Sequence, residues 1–188
     1  VTSVAVLLSA GGGTRFQGSS HKLLADLRGR PVWQWSLEQV LGAGFDQVMV
    51  VTGAVDLPVP EGVLAVHNPD WATGQASSLH VAVHRAAALG AEAVTVGLAD
   101  QPFVTTASWR AVRTADSTCR IVVAEYEGRP GPHPVRLGRD VWPLLTTSGD
   151  EGARSLLRLH PEWVCRVPCV GSIADIDTLE DLERWKSC

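Results

Sequence analysis

Leu8-Ser9-Ala10-Gly11-Gly12-Gly13-Thr14-Arg15-Phe16-Gln17-Gly18-Ser19-Ser20-His21-Lys22 is the stretch whose reading decides the fold. It is fed by Val4-Ala5-Val6-Leu7-Leu8, a short apolar run that suits a strand buried on both faces. Gly11, Gly12 and Gly13 carry no Cβ, so backbone N–H groups there can come close to a ligand. Amides turned inward around such a loop make a concave anion site. Arg15 and Lys22 bring two positive charges to the same loop. Strand, glycine loop and basic side chains read together as a triphosphate cradle, against the plainer alternative of a glycine-rich turn with two solvated basic residues. Two commoner phosphate motifs are excluded. A Walker A loop needs lysine after its last glycine, and Gly18 is followed by Ser19. The dinucleotide fingerprint starting at Gly11 needs glycine where Phe16 stands.

Outward from this loop, strands and helices alternate along the chain. Pro31 opens a helix carrying Trp33, Leu37, Val40 and Leu41, stopped by Gly42 and Gly44, with Trp33 and Trp35 read as packing groups. Gln47–Val51, Leu64–His67, Ala93–Leu98, Arg120–Tyr126 and Trp163–Pro168 read as strands, the last as a core strand. Leu23–Arg30, Gly53–Gly62 and Glu127–His133 read as connecting turns and loops. Asn68–Leu79 reads as a loop ending in a helix capped by Ser77 or Ser78, a second place for phosphate or nucleobase. Asp100-Gln101-Pro102 follows the Ala93–Leu98 strand, where open α/β sheets bind ligands, and an aspartate there suits Mg2+ or caps a turn. Gly149–Arg154 precedes a short helix capped by Ser148 or Asp150, with an Asp150–Arg154 ion pair as the plain reading. Asp175–Leu182 opens the terminal helix, with Thr178 and Asp181 forming an imperfect capping box. His80 and His84 lie one turn apart without a third ligand, and His133 reads as a solvated loop histidine.

Composition bounds the function. The 188 residues are 45% hydrophobic and 19% charged, enough for one globular domain, 1–188. Sixteen Lys+Arg against twenty Asp+Glu leave −4, no field for nucleic acid or an anionic membrane, so phosphate recognition is local. Cys119, Cys165, Cys169 and Cys188 lack metal or redox spacing and read as buried thiols in a reducing compartment. With no leader and no membrane-spanning stretch, the expected location is cytoplasmic. The fold class expected is a three-layer α/β sandwich around a mostly parallel twisted sheet.

Leu8–Lys22 resembles the signature of the nucleotidyltransferases that finish the molybdenum cofactor, the MobA-like family, which reads Leu-Ala-Ala-Gly-x-x-x-Arg-Met-Gly and then a lysine. Ser9, Phe16 and Gln17 depart from it, and Gly18 restores the glycine after a one-residue insertion. Asn68–Leu79, Leu98–Pro102, Gly149–Arg154 and Asp175–Leu182 resemble further family motifs, in family order, so the resemblance spans nearly the whole chain. Ala99 stands for a family glycine and Leu179 for a family proline. The resemblance implies a Rossmann-like nucleotidyltransferase fold and a nucleotide site made of Leu8, Ala10, Gly11, Gly12, Gly13, Arg15, Lys22, Gly74 and Ser78. It implies Asp100 as the Mg2+ ligand, with Asp177 the candidate second and Asp150 or Asp175 left open.

The reaction expected from the resemblance is attack of an acceptor phosphate on the α-phosphorus of a nucleoside triphosphate, with Arg15, Lys22 and Asp100 as the catalytic set. Lys22 is taken as a charged residue of a polar loop that adds little to stability. Ala10 stands where the guanylyl branch has glycine, which favours CTP over GTP. Molybdopterin is the implied acceptor, with a client molybdoenzyme or its chaperone as further partner. The alternatives are a sugar, alcohol or lactate phosphate as acceptor, or a non-catalytic nucleotide- or cofactor-binding accessory protein.

Overall fold

The structure is a computed structural model and describes residues 2–187. In chain order it contains β1 (Thr2–Ser9), a small hairpin of β2 (Asp26–Leu27) and β3 (Arg30–Pro31), α1 (Val32–Leu41), β4 (Gln47–Thr52) and β5 (Leu64–His67). Then come α2 (Gln75–Ala88), β6 (Ala91–Leu98), α3 (Thr106–Thr114), β7 (Ile121–Tyr126), β8 (Arg129–Gly138), α4 (Arg154–Leu159), β9 (Val164–Cys169) and α5 (Leu179–Lys186). Seven strands form one sheet in the order β5-β4-β1-β6-β8-β7-β9. Only β8 runs against its neighbours; the β1–β4, β1–β6, β4–β5 and β7–β9 pairings are parallel.

The layers follow from alternation along β1. Val4, Val6 and Leu8 face a core shared with Leu79, Ala82, Val83 and Ala86 of α2. Ala5 and Leu7 face the opposite core, with Trp33, Leu37 and Val40 of α1 and Trp109 of α3. An uninterrupted apolar strand is thus explained by helices on both faces, the three-layer sandwich expected. Gly97 on β6 marks how tightly α3 sits: a Cβ there would lie 2.5 Å from Cζ2 of the buried Trp109. Gly97→Ala is expected to lower stability by about 1–3 kcal/mol through overpacking, read as a lower urea midpoint at unchanged slope. An unchanged midpoint would mean that α3 is free to shift.

Several local expectations are corrected. Gly74, not Ser77 or Ser78, caps α2; both serines lie buried within its first turn. No side chain caps α4, and Glu151 pairs with Arg158 at 2.6 Å, in place of an Asp150–Arg154 bridge. The long turn after Tyr126 is only Glu127-Gly128, both at positive φ, and β8 then carries the chain through His133. His133 is therefore buried, not solvated. Burial, and then the charge of Arg154, push its imidazole pKa down to about 3. Strand β9 is an edge strand, half exposed. The stretch expected as loop holds a 3-10 turn that begins at Lys22 itself (Lys22–Leu24), followed by the β2–β3 hairpin.

Cys119 and Cys165 are joined in a disulfide, because the β7–β9 pairing sets Val122 beside Cys165 and brings the Cα atoms of the two cysteines to 6.0 Å. The cysteine argument for a reducing compartment falls with it. Cys169 is a free, half-buried thiol, and Cys188 lies outside the described residues. Among the described residues no helix is long and apolar enough to cross a membrane.

Candidate active site

The chain runs outward from β1 to β4 and β5, then returns to β6 on the other side of β1. That reversal is the switch point at which open α/β sheets leave a crevice at their carboxyl ends. The glycine loop leaves β1 there and Asp100 follows β6 there; Leu8 and Leu98 are register partners, and Ala99 N–H donates to the Leu8 carbonyl at 3.0 Å. The crevice has a volume of about 560 Å³. Every residue expected at the site lines it: Leu8, Ala10, Gly11, Gly12, Gly13, Arg15 and Lys22 from the first loop, Gly74 and Ser78 from the start of α2, Asp100 after β6, and Asp177 before α5.

Charge at the floor is concentrated in one cluster. Lys22 Nζ donates to Asp100 Oδ2 at 2.5 Å and to Asp177 Oδ1 at 2.6 Å. Arg15 reaches the other Asp177 oxygen at 2.7 Å. The Lys22 side chain is only 12% exposed, so it is not the solvated basic residue of the plainer alternative. Burial alone works against its charge, and the Asp100 and Asp177 carboxylates outweigh that, holding its pKa above the ordinary lysine value. Asp175 sits behind the pair and accepts from Gln101 Nε2 at 2.7 Å. Burial, and then the negative charge of Asp100, push its carboxyl up from the ordinary range.

The carboxylates are held by backbone clips. Ile176 N–H donates to the Asp100 carbonyl at 2.9 Å, and Ile176 is buried with Phe16, Leu27 and Leu182. Thr178 and Asp181 form a complete capping box at the start of α5, and Asp181 also accepts from the Asp177 N–H. The apolar face of α5 thereby fixes where Asp177 points its charge. Phe16, a departure from the family motif, serves this packing; a Cβ on Gly18 would lie 2.3 Å from its ring.

The glycine loop is braced from two sides. His21 Nε2 lies 2.9 Å from the Gly11 carbonyl, while its Nδ1 accepts from Leu23 N–H at 3.2 Å. These partners require the neutral tautomer with the proton on Nε2. Burial, opposed by the Gly11 bond, keeps its pKa below the ordinary value. On the other side a Cβ at Gly12 would meet the Trp71 ring at 3.1 Å. Gly53, just beyond β4, leaves room for both Ala10 and Trp71, whose Cβ atoms would lie 2.8 and 2.6 Å from any Cβ placed there.

The opposite wall is the start of α2. Buried Asn68 donates to Ser77 Oγ and Ser78 Oγ, each at 2.9 Å, and accepts from Asp70 N–H. Gly74 has φ +111, and a Cβ would strike the Gly149 carbonyl carbon at 2.5 Å. The Gly149 carbonyl accepts from Ala76 N–H at 2.9 Å, which docks the Gly149–Arg154 motif on this helix terminus. Part of the expected phosphate subsite at α2 is thus taken by protein. Asp150 and Arg154 reach the cleft, as do Trp71 and Gln75. Trp71, Gln75 and the bracing His21 were missed from sequence. The first two lie inside a motif that was recognised, and His21 lies inside the quoted loop, but nothing in their spacing signals an inward side chain.

Among the described residues no three His, Cys, Asp or Glu side chains form a metal cage. The donor set still fits a hard divalent ion. Asp100 Oδ1 is buried without a hydrogen-bond partner, and oxygens of Asp100 and Asp177 already converge on one cationic atom. Mg2+ takes one or two carboxylates and completes its shell with phosphate and water.

The chain matches the MobA-like NTP transferase domain over residues 5–164. It is 32% identical over 194 residues to nicotine blue oxidoreductase of Paenarthrobacter nicotinovorans, covering 95% of this chain and 94% of that protein. Among solved structures it resembles Rv0371c of Mycobacterium tuberculosis H37Rv, with TM-score 0.85 and 28% identity over 100% and 98% of the two chains. The manganese complex of that protein aligns with TM-score 0.77 at 26% identity, over 100% and 99%. A nucleotidyl transferase of Methanothermobacter thermautotroptrophicus shares the fold, with TM-score 0.82 at 23% identity over 99% and 96%. With the family matched over most of its length and the glycine loop opening on the switch-point cleft, this chain belongs to the MobA-like NTP transferase family and is a nucleotidyltransferase.

Proposed function

We propose that this protein transfers a cytidylyl group from CTP to the phosphate of a molybdopterin-type acceptor and releases pyrophosphate. One observation carries the reading: the glycine loop, Lys22, Asp100 and Asp177 meet across a single cleft at the switch point. The loop amides and Arg15 bind the β and γ phosphates, in keeping with an inward-facing run of backbone donors. Lys22 neutralises charge growing on the α-phosphoryl oxygens. An acceptor phosphate oxygen bonds to the α-phosphorus as the bond to the pyrophosphate oxygen breaks. The acceptor arrives ionised, so no general base is needed, and the work is positioning and charge neutralisation. Asp100 and Asp177 would hold Mg2+, which when bound neutralises phosphate charge; the manganese complex of Rv0371c supports a divalent ion in this fold. Residues 1–188 act as one domain, since the segment beyond the family match supplies Asp177.

The base preference rests on Ala10. It is buried, with its methyl beside Gly53 and Trp71 at the edge of the cleft. A methyl there narrows that edge against a two-ring base. CTP is expected to exceed GTP in kcat/KM by at least about tenfold, and Ala10→Gly to shrink that ratio. Pyrophosphate release, with each triphosphate crossed against molybdopterin and against sugar, alcohol and lactate phosphates, tests both parts. A GTP preference refutes the cytidylyl assignment, turnover only with another phosphate refutes the molybdopterin assignment, and no pyrophosphate in any combination refutes the enzyme reading.

A further inference from the structure

Lys22 Nζ occupies the space between the two carboxylates that the proposed function gives to a divalent ion. Its contacts are at 2.5 Å to Asp100 Oδ2 and 2.6 Å to Asp177 Oδ1. Arg15 takes the second Asp177 oxygen. Two carboxylates are therefore each paired with a cation, and the space between them is taken by the ammonium. An ion coordinating those oxygens at roughly 2.1 Å would stand in close repulsion with the ammonium. Both cannot hold the same pair of oxygens.

Which partner moves is decided by how each is anchored. The Asp100 backbone is tied to Ile176, and Asp177 is tied through its N–H to Asp181 and by the buried face of α5. Lys22 carries its charge on a flexible four-carbon stem, and its Nζ contacts are to these two aspartates. The glycine loop that is to receive the triphosphate borders the same cleft. A triphosphate placed there offers Lys22 alternative anionic oxygens without requiring the backbone to move.

The geometry points to Lys22 as a resident cation that keeps the metal position closed until a triphosphate draws it away, so that the divalent ion enters with the nucleotide and not before it. This inference rests on the metal assignment to Asp100 and Asp177 made above. It adds a second role to Lys22: besides stabilising charge on the α-phosphoryl group, it couples metal binding to nucleotide binding.

The test is Mn2+ binding to the full chain, followed by loss of the free-ion electron paramagnetic resonance signal, with and without CTP and with no acceptor present. The unmodified protein is expected to bind Mn2+ at least about tenfold more tightly once CTP is bound, after correction for Mn2+ held by free CTP. Lys22→Met keeps the aliphatic stem and removes the charge; it is expected to gain at least about tenfold in Mn2+ affinity without nucleotide. Adding Asp100→Asn to it is expected to remove the gain, which locates the ion. Lys22→Gln, which retains hydrogen-bonding capacity, is the second variant should Lys22→Met fail to fold. Nucleotide-free Mn2+ affinity within twofold of the unmodified protein in the folded variant overturns the inference. If CTP-dependent binding is meanwhile lost in Asp100→Asn, the metal assignment stands and only the ordering falls. If Mn2+ binds in neither condition, both fall.

Discussion

Asp100→Asn is expected to lower turnover by roughly two to three orders of magnitude and to raise the Mg2+ concentration needed for half-maximal rate, on the scale of losing one preorganised charge stabiliser. The substitution keeps shape and removes the anion. Asp100 Oδ1 is buried with no hydrogen-bond partner, an arrangement that costs stability unless a ligand uses the oxygen. Its other oxygen holds Lys22. An amide in this place cannot balance a divalent charge, and turned one way it points an N–H at the ammonium. Steady-state turnover across an Mg2+ titration measures both effects. A crystal soaked with CTP and Mg2+ that shows no ion within coordination distance of Asp100 would overturn the assignment, as would a folded variant with an unchanged Mg2+ requirement.

Lys22→Ala is expected to reduce turnover by a similar factor, roughly a hundred to a thousand, and, contrary to the sequence expectation, to cost stability as well. Lys22 is 12% exposed and Asp100 and Asp177 are 15% and 20% exposed, so its removal leaves two carboxylates poorly solvated and close together. The expected loss is about 1–3 kcal/mol, less than for a fully buried pair because each group retains some water and Arg15 still reaches Asp177. Thermal or urea unfolding reads the stability part, and pyrophosphate release by the folded fraction reads the catalytic part. Turnover near the unmodified rate would remove Lys22 from the α-phosphoryl site. Unchanged stability would mean that the two aspartates find other partners.

Much of the site was legible because its parts are local. The glycine loop could be read from three consecutive residues and their flanks, and the position of Asp100 from the apolar run that ends just before it. The α5 capping box was legible for the same reason: Thr178 and Asp181 make their reciprocal bonds within one turn. Capping of α2 is not legible in this way, because the deciding partner lies outside the helix. Ser77 and Ser78 carry good capping side chains, but Asn68 engages both and the helix begins at Gln75 behind Gly74. In sequence His133 reads as a solvated loop residue because glycine and prolines surround it; the tight Glu127-Gly128 turn instead feeds this stretch into a central strand.

By itself the sequence determined the succession of strands and helices, the two-sided burial of β1 and the chemistry of the loop that follows it. Each rests on periodicity or on residue type within a few positions. Only the tertiary structure decided that Asp177 meets Lys22 across 155 positions of chain, that Cys119 meets Cys165, and that Lys22 rests between two carboxylates in place of open solvent. The physical reason is that strand order and the docking of α5 choose which distant segments share a dielectric environment, and a charge is set by its neighbours in space, whatever their distance along the chain.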